Sequence, residues 1–510
     1  MLSTSKIVFK DYTQKQTMLF PPNLEELIEP NHPVRTVDQV IDSIDIEPII
    51  KQYKGGGTSS YHPRLLLKVL VYGYITNEYS SRKIEQAIKQ NIHFMWLAGM
   101  SRPDHNTINR FRSDRLKDVL KQVFAQVVHL LVEAGHINIK EVYIDGTKIE
   151  ANANRYTFVW GKSIKHNKEK IVEQLQALWN YAESIAKEEL ENNEPIDFKA
   201  IDTEKVKQTI EQIDTALAGK KVNKQIKQKL NYARKEWPKN LDKYTEQEKI
   251  LADRNNYSKT DPDASFMRLK EDHMLNGQLK PAYNWQMSTQ NQFIVNYSLH
   301  QNPTDTTTLP SHLNELIGNI GYKPEKAIAD AGYGSEENYT ELERLDIEPF
   351  VKFNYFHKEQ TRKWKNDPFK VQNLYYNPQS DCYYCPMGQK MRFIGTKTNK
   401  SENSFLQTLH RYQAQNCQGC PLRGLCHKAK GNRIIEVNHK LNRYKEIVRQ
   451  KLKSEEGLMH RSKRPVEVEA VFGMIKNNRH FRRFQLRGLK KVTIEIGLIS
   501  LAHNLKKMTA

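Results

Sequence analysis

Two short apolar runs in this chain end in the same way. Val142-Tyr143-Ile144 leads into Asp145-Gly146-Thr147, and Ala327-Ile328-Ala329 leads into Asp330-Ala331-Gly332. Runs of this length and composition read as β-strands, and a glycine just beyond each lets another group come close to the backbone. Asp-Gly alone is also an ordinary hairpin turn. A strand that ends in a carboxylate twice in one chain is a stronger constraint: it calls for an α/β fold whose mixed sheet carries two acidic strand ends.

Other segments fit that sheet. Ala282-Tyr283-Asn284-Trp285-Gln286-Met287-Ser288 and Phe293-Ile294-Val295-Asn296-Tyr297-Ser298-Leu299, separated by a turn at Asn291-Gln292, form a hairpin. A helix is expected from Leu309 to Ile317, and Pro349-Phe350-Val351-Lys352 supplies a fifth strand. Near the end of the sequence, Val468, Val471, Phe472 and Ile475 recur at helical spacing after Pro465, which suits a first helical turn. Glu469 lies beside that apolar stripe, and Lys476 follows two turns later on the same side. Arg479, Arg482 and Arg483 come next, with Phe481 and Phe484 interleaved.

Charge narrows the function. The net charge is +20 and the pI about 9.4, which points to a polyanionic partner, most generally nucleic acid. The excess is concentrated: residues 451–510 hold fourteen Lys/Arg against five Asp/Glu. Mean hydropathy is −0.74, no run approaches eighteen apolar residues, and no signal peptide or lipidation motif stands out, so a cytoplasmic protein without membrane attachment is expected.

The opening section contains Phe20-Pro21-Pro22 and a linker, Gly55-Gly56-Gly57-Thr58-Ser59-Ser60. From His62 to Ala134 the pattern is helical. Ser81 is placed to cap one helix and Asp104 another, whose residues Asn109, Arg110, Arg112 and Arg115 suit a helix entering a DNA groove in a helix-turn-helix-like domain. Residues 165–255 carry two seams, Ile171, Leu175, Leu178, Ala182, Ile185 and Val206, Ile210, Ile213, Leu217, read as an antiparallel coiled-coil hairpin suited to a structural role or self-association; a homodimer is expected. Cys382-x2-Cys385 and Cys417-x2-Cys420, with Cys426 beyond, predict a structural Zn²⁺ site using Cys382, Cys385, Cys417 and either Cys420 or Cys426.

Asp145, Asp330 and Glu469 thus stand on separate elements, and together they suit Mg²⁺, which takes oxygen ligands and works with few carboxylates plus substrate phosphate. This points to metal-assisted phosphoryl transfer on nucleic acid.

On these residues the sequence resembles the DDE transposases of bacterial insertion sequences. The resemblance rests on Pro103-Asp104-His105-Asn106-Thr107-Ile108-Asn109-Arg110-Phe111-Arg112, the two strand–Asp segments and the helix from Glu469 to Phe484. It implies an RNase H-like catalytic core, a triad of Asp145, Asp330 and Glu469, a Mg²⁺ or Mn²⁺ cofactor, and a chain that binds double-stranded DNA at element ends, cleaves it and transfers the cut strand to target DNA. The family signature Tyr-x2-Arg-x3-Glu-x6-Lys is met by Glu469 and Lys476. Arg464, a candidate phosphate contact, lies one residue too far from Glu469, no tyrosine stands upstream, and Glu467 is kept as a lesser ligand candidate. The expected organisation is a helical DNA-binding domain over 1–135, a core split into 136–164, 256–375 and 433–510, a coiled-coil insertion over 165–255 and a zinc insertion over 376–432. A DNA-binding protein without catalysis and an RNase H-like nuclease without strand transfer are the alternatives.

Overall fold

In the computed structural model, residues 23–53, 60–187, 198, 202–269 and 277–509 are described; Phe20-Pro21-Pro22 and the linker residues Gly55 to Ser59 lie outside them. Two units divide the chain, one formed by residues 1–119 with 504–510 and the other by 120–503.

The first unit is helical: α1 (Pro33–Ser43), α2 (Pro63–Ile75), α3 (Ser81–Gln90), α4 (Ile92–Leu97) and α5 (His105–Arg110). Both α1 and α2 begin with His-Pro: the proline takes the first helical position, and the His32 and His62 rings accept the Val34 and Arg64 amide protons at 3.2 and 3.3 Å. Val34, Val37, Ile41, Leu66, Leu67, Leu70, Ile84 and Ile108 are buried, each worth about 1.5–3 kcal/mol if removed from water completely. Asp104 caps α5, accepting from the Thr107 amide at 2.8 Å. Ser81 does not cap α3; Ser80 holds that place without a side-chain bond.

The second unit is built on a mixed sheet of β1 (Glu141–Glu150), β2 (Ser265–Arg268), β3 (Leu279–Gln290), β4 (Phe293–His300), β5 (Lys326–Ala329) and β6 (Glu348–Val351). β3 runs antiparallel to β1 on one side and to β2 and β4 on the other. β5 is parallel to both β1 and β6. Asn291 and Gln292 both take positive φ, 51° and 62°, which matches the twist of the β3–β4 hairpin.

β1 departs from the sequence reading, in which Asp145 ends a strand. Antiparallel pairing with β3 continues from Asp145↔Met287 to Glu150↔Ala282, whereas the parallel ladder with β5 stops at Ile144↔Ala329. Asp145 therefore lies inside its strand, but at the end of one ladder.

The described residues between 161 and 251 include three helices where a hairpin of two is expected: α6 (Gly161–Ile185), α7 (Thr203–Ala216) and α8 (Lys224–Leu251). Both seams are buried except at Ile185, which is exposed at the end of α6, and Leu230, Ala233, Trp237 and Leu241 of α8 complete their core. The Lys- and Glu-rich texture of α8 hid this third stripe. Beyond the sheet come α9 (Leu309–Ile320), α10 (Glu336–Arg344), α11 (His439–Lys453) and α12 (Glu455–Arg464). A separate antiparallel sheet takes β7 (Tyr376–Asn377), β8 (Cys382–Tyr384), β9 (Lys390–Lys400), β10 (Leu406–Ala414) and β11 (Ile434–Val437) in sequential order.

Beneath β3 and β4, His312 is fully buried with its ring nitrogens 2.7 Å from the Ser288 and Ser298 hydroxyls. Burial, reinforced by positive charge at His300 and Lys121, pushes its pKa down to about 3. Burial and Lys121 push His300 down to about 4. Both rings are neutral in the folded chain but take up protons below about pH 6.5 when it unfolds. The unfolded state then binds more protons, so stability is expected to fall as pH drops from about 6.5 towards 4, by up to about 1.4 kcal/mol per pH unit for each ring. Urea unfolding of the chain and of His312→Gln across this range checks it; equal slopes would remove His312 from the account.

Candidate active site

The parallel ladder that ends at Ile144↔Ala329 leaves the next two residues, Asp145 and Asp330, side by side. The Asp145 Oδ1 accepts from the Gly146 amide at 2.9 Å, and Asp330 Oδ1 accepts from the Gly332 amide at 2.8 Å, opening the tight turn Ala331–Tyr333. Neither is in a hairpin turn.

Glu469 arrives from a helix that starts earlier than Pro465. Ser454 caps α12, accepting from the Gly457 amide at 3.1 Å, and the helical path continues through Pro465 to Asn478. Pro465 has no amide proton, and at this point the helix widens into a π turn over Pro465–Glu469, closed by the Ala470 amide on the Pro465 carbonyl. A wide turn accommodates one extra residue. Arg464 and Glu469, five apart instead of four, are brought to the same side, with Arg464 Nη1 2.6 Å from Glu469 Oε1. Val468, Val471, Phe472 and Ile475 are buried, and the Phe472 ring meets Trp285 of β3 edge-on.

The same guanidinium reaches both aspartates. Its Nη2 is 2.9 Å from Asp145 Oδ2 and 4.0 Å from Asp330 Oδ2. Arg464 and Asp145 have 8% side-chain exposure, whereas Asp330 and Glu469 retain 41% and 50%, so the cluster is closed at its base and open at its rim. A buried cation among three carboxylates relieves their mutual repulsion. Glu467 points elsewhere, accepting from the Gln292 amide at 2.9 Å.

Asp305, within the run Thr304-Asp305-Thr306-Thr307-Thr308, is a fourth carboxylate at this place, and nothing in its local sequence signals it. Its Oδ1 accepts from the amides of Asn284 and Gln286, both at 2.8 Å. A Cβ on Gly146 would run into Gln286 Nε2 and lie 2.5 Å from that same Oδ1, so close approach explains this glycine. The buried Tyr333 hydroxyl donates to Gln286 Oε1; burial, then the charges of Asp305, Asp145 and Asp330, hold its pKa well above the usual phenol value.

Several residues expected to face DNA are engaged within the fold. Arg112 is buried and bonds to the Tyr79 carbonyl at 2.7 Å and to Asn109 Oδ1 at 3.2 Å; Arg110 is exposed. Lys476 and Arg479 are buried. Arg482 bonds to Asn477 Oδ1 at 2.8 Å, and Arg483 to the Ala151 and Ala153 carbonyls, though both arginines remain at the surface. Phe481 and Phe484 are buried against one another.

Among the described residues, no three His, Cys, Asp or Glu side chains are gathered into a metal-holding group as they lie. The five cysteines are free thiols. Cys385, Cys417, Cys420 and Cys426 line one cavity, but Cys382 is not on its wall: it is buried on β8, with its sulfur 3.2 Å from the Ser380 hydroxyl.

Residues 384–509 match the family model of the transposase DDE domain, and residues 22–114 match that of a transposase domain, DUF772. The two matches together support a DDE transposase of an insertion sequence. The DDE-domain match contains Glu469, Arg464 and four of the five cysteines, while Asp145 and Asp330 precede it. No curated protein and no solved structure matches the chain. The matched domains indicate a transposase, and its architecture is mixed α/β with a helical N-terminal unit. No helix among its described residues is long and apolar enough to cross a membrane.

Proposed function

We propose that this transposase binds the ends of its element, cuts the DNA and joins the freed 3′-hydroxyl to a target strand, with Asp145, Asp330 and Glu469 as its metal-binding carboxylates. The observation that carries the reading is their convergence on the single guanidinium of Arg464. The order β4-β3-β1-β5-β6, antiparallel up to β1 and parallel after it, supports the RNase H-like core that the family implies.

An all-oxygen donor set with two half-exposed members fits Mg²⁺ or Mn²⁺. When bound, such an ion polarises phosphate and lowers the pKa of a water nucleophile. Asp145 and Asp330, side by side at the ladder end, are rigidly presented by the sheet, and Glu469 closes the set from the helix. Arg464 has a planar set of donors matched to phosphate, and with its carboxylates neutralised otherwise it can turn to the phosphodiester beside the scissile bond. Lys476 is assigned to the same end of the substrate. Arg479, Arg482 and Arg483 supply positive charge along the DNA, and Asn109, Arg110 and Arg112 belong to the helical unit assigned to DNA binding, with Arg112 acting as its internal brace.

A strand-transfer assay with labelled element ends, run with Mg²⁺, with Mn²⁺ and with chelator, tests the proposal. Metal-dependent joined products are expected. Cleavage without joining would replace this reading with that of a nuclease, and binding without cleavage would replace it with that of a non-catalytic DNA-binding protein.

A further inference from the structure

The small sheet over 376–437 brings three separate turns to one point. Cys385 follows β8 in a turn closed by the Gly388 amide on the Cys385 carbonyl at 2.8 Å, with Gly388 at φ 76°. Cys417 and Cys420 lie in the loop after β10, where Gly419 takes φ 69°. Cys426 ends the short helix Arg423–Cys426. The four sulfur-bearing residues line a cavity of about 20 Å³. These two left-handed glycines make the two tight turns that carry Cys385, Cys417 and Cys420 to the cavity wall.

The surroundings of the sulfurs also point to a guest. The Arg433 amide donates to Cys417 Sγ at 3.4 Å and its Nη1 to Cys426 Sγ at 3.0 Å, so two of the sulfurs already accept hydrogen bonds from the wall. His427, on the same wall, has both ring nitrogens buried without a hydrogen-bond partner. A buried polar ring left unsatisfied is costly. Four thiolates around one divalent ion leave a net negative charge, and that charge would accept a bond from His427 as well as from Arg433.

We propose that Cys385, Cys417, Cys420 and Cys426 bind one structural Zn²⁺, their sulfurs rotating inward to close on it, and that Cys382 takes no part. The four-thiolate set leaves no open position, so the metal staples the loops after β8 and β10 together and does no chemistry. The site shares no residue with the carboxylate cluster, and its test does not depend on DNA cleavage.

The test is metal content of the full chain, measured by mass spectrometry after expression in zinc-supplemented medium. About one zinc per chain is expected. Cys382→Ser should keep it, and Cys417→Ser and Cys426→Ser should each lose most of it. Because ligand variants can misfold, a second measurement uses the wild-type chain with Co²⁺ in place of zinc: an intense tetrahedral thiolate spectrum is expected. A metal-free wild type with all five thiols freely titratable, an iron–sulfur absorption, or loss of zinc in Cys382→Ser with retention in Cys426→Ser would each overturn the assignment.

Discussion

Asp145→Asn is expected to abolish cleavage of labelled element ends while the chain still folds and still binds them. Asparagine has the same shape, and its side-chain oxygen can still accept the Gly146 amide, as Asp145 Oδ1 does at 2.9 Å. What is lost is the charge that faces Arg464 at 2.9 Å and that a divalent ion would need. Arg464 keeps Glu469 at 2.6 Å, so the buried guanidinium is not stranded and the folding cost stays small. The fall in rate should exceed the roughly 10- to 100-fold that follows loss of a residue merely supporting a metal ligand. Glu467→Gln is the matched control: that carboxylate bonds to the Gln292 amide and should be dispensable for cleavage. Retained strand transfer by Asp145→Asn, or its loss in Glu467→Gln with normal folding, would defeat the assignment of the triad.

The second large effect is on folding. Gly334 follows the Asp330 turn with φ −77°, an angle open to any residue, so conformational freedom is not what requires glycine there. Space is. An added Cβ would run into the Lys352 carbonyl and lie 2.5 Å from Phe353 Cα, which are backbone atoms. That backbone is tied to the sheet, since the Lys352 amide bonds to the Ala329 carbonyl at 3.3 Å. Gly334→Ala must therefore push apart the turn after β5 and the end of β6, at a cost of about 1–3 kcal/mol or more. A lowered urea midpoint, with cleavage falling alongside because Asp330 lies on the displaced turn, is the expected result. An unchanged midpoint would show that the turn yields freely.

The short apolar runs made the central strands legible, because burial on a sheet demands continuous apolar stretches whatever the partner. What each strand pairs with is a long-range matter, and that is why Asp145 was read at a strand end when only one of its two ladders stops there. The local rule for proline places a helix start at Pro465; the helix instead runs through it by widening, and this also accounts for the odd spacing of Arg464 and Glu469. The partnership of Arg464 with three acids had no local signal at all. The same holds for Arg112, a candidate groove reader by type that is spent on the Tyr79 carbonyl, and for Asp305, whose amide partners sit on a strand some twenty residues earlier. Cysteine spacing limited the possible ligands, yet only the fold separates Cys382 from the cavity.

The separation of Asp145, Asp330 and Glu469 along the chain has a consequence for biosynthesis. β1 cannot complete its parallel ladder until residue 329 has left the ribosome, and the cluster lacks its third acid until residue 469 has followed. Parallel pairing across so long a connection is intrinsically slow. A nascent or prematurely terminated chain that stops short of residue 469 therefore lacks both the third carboxylate and most of the basic stretch over residues 451–510, however far its earlier elements have folded.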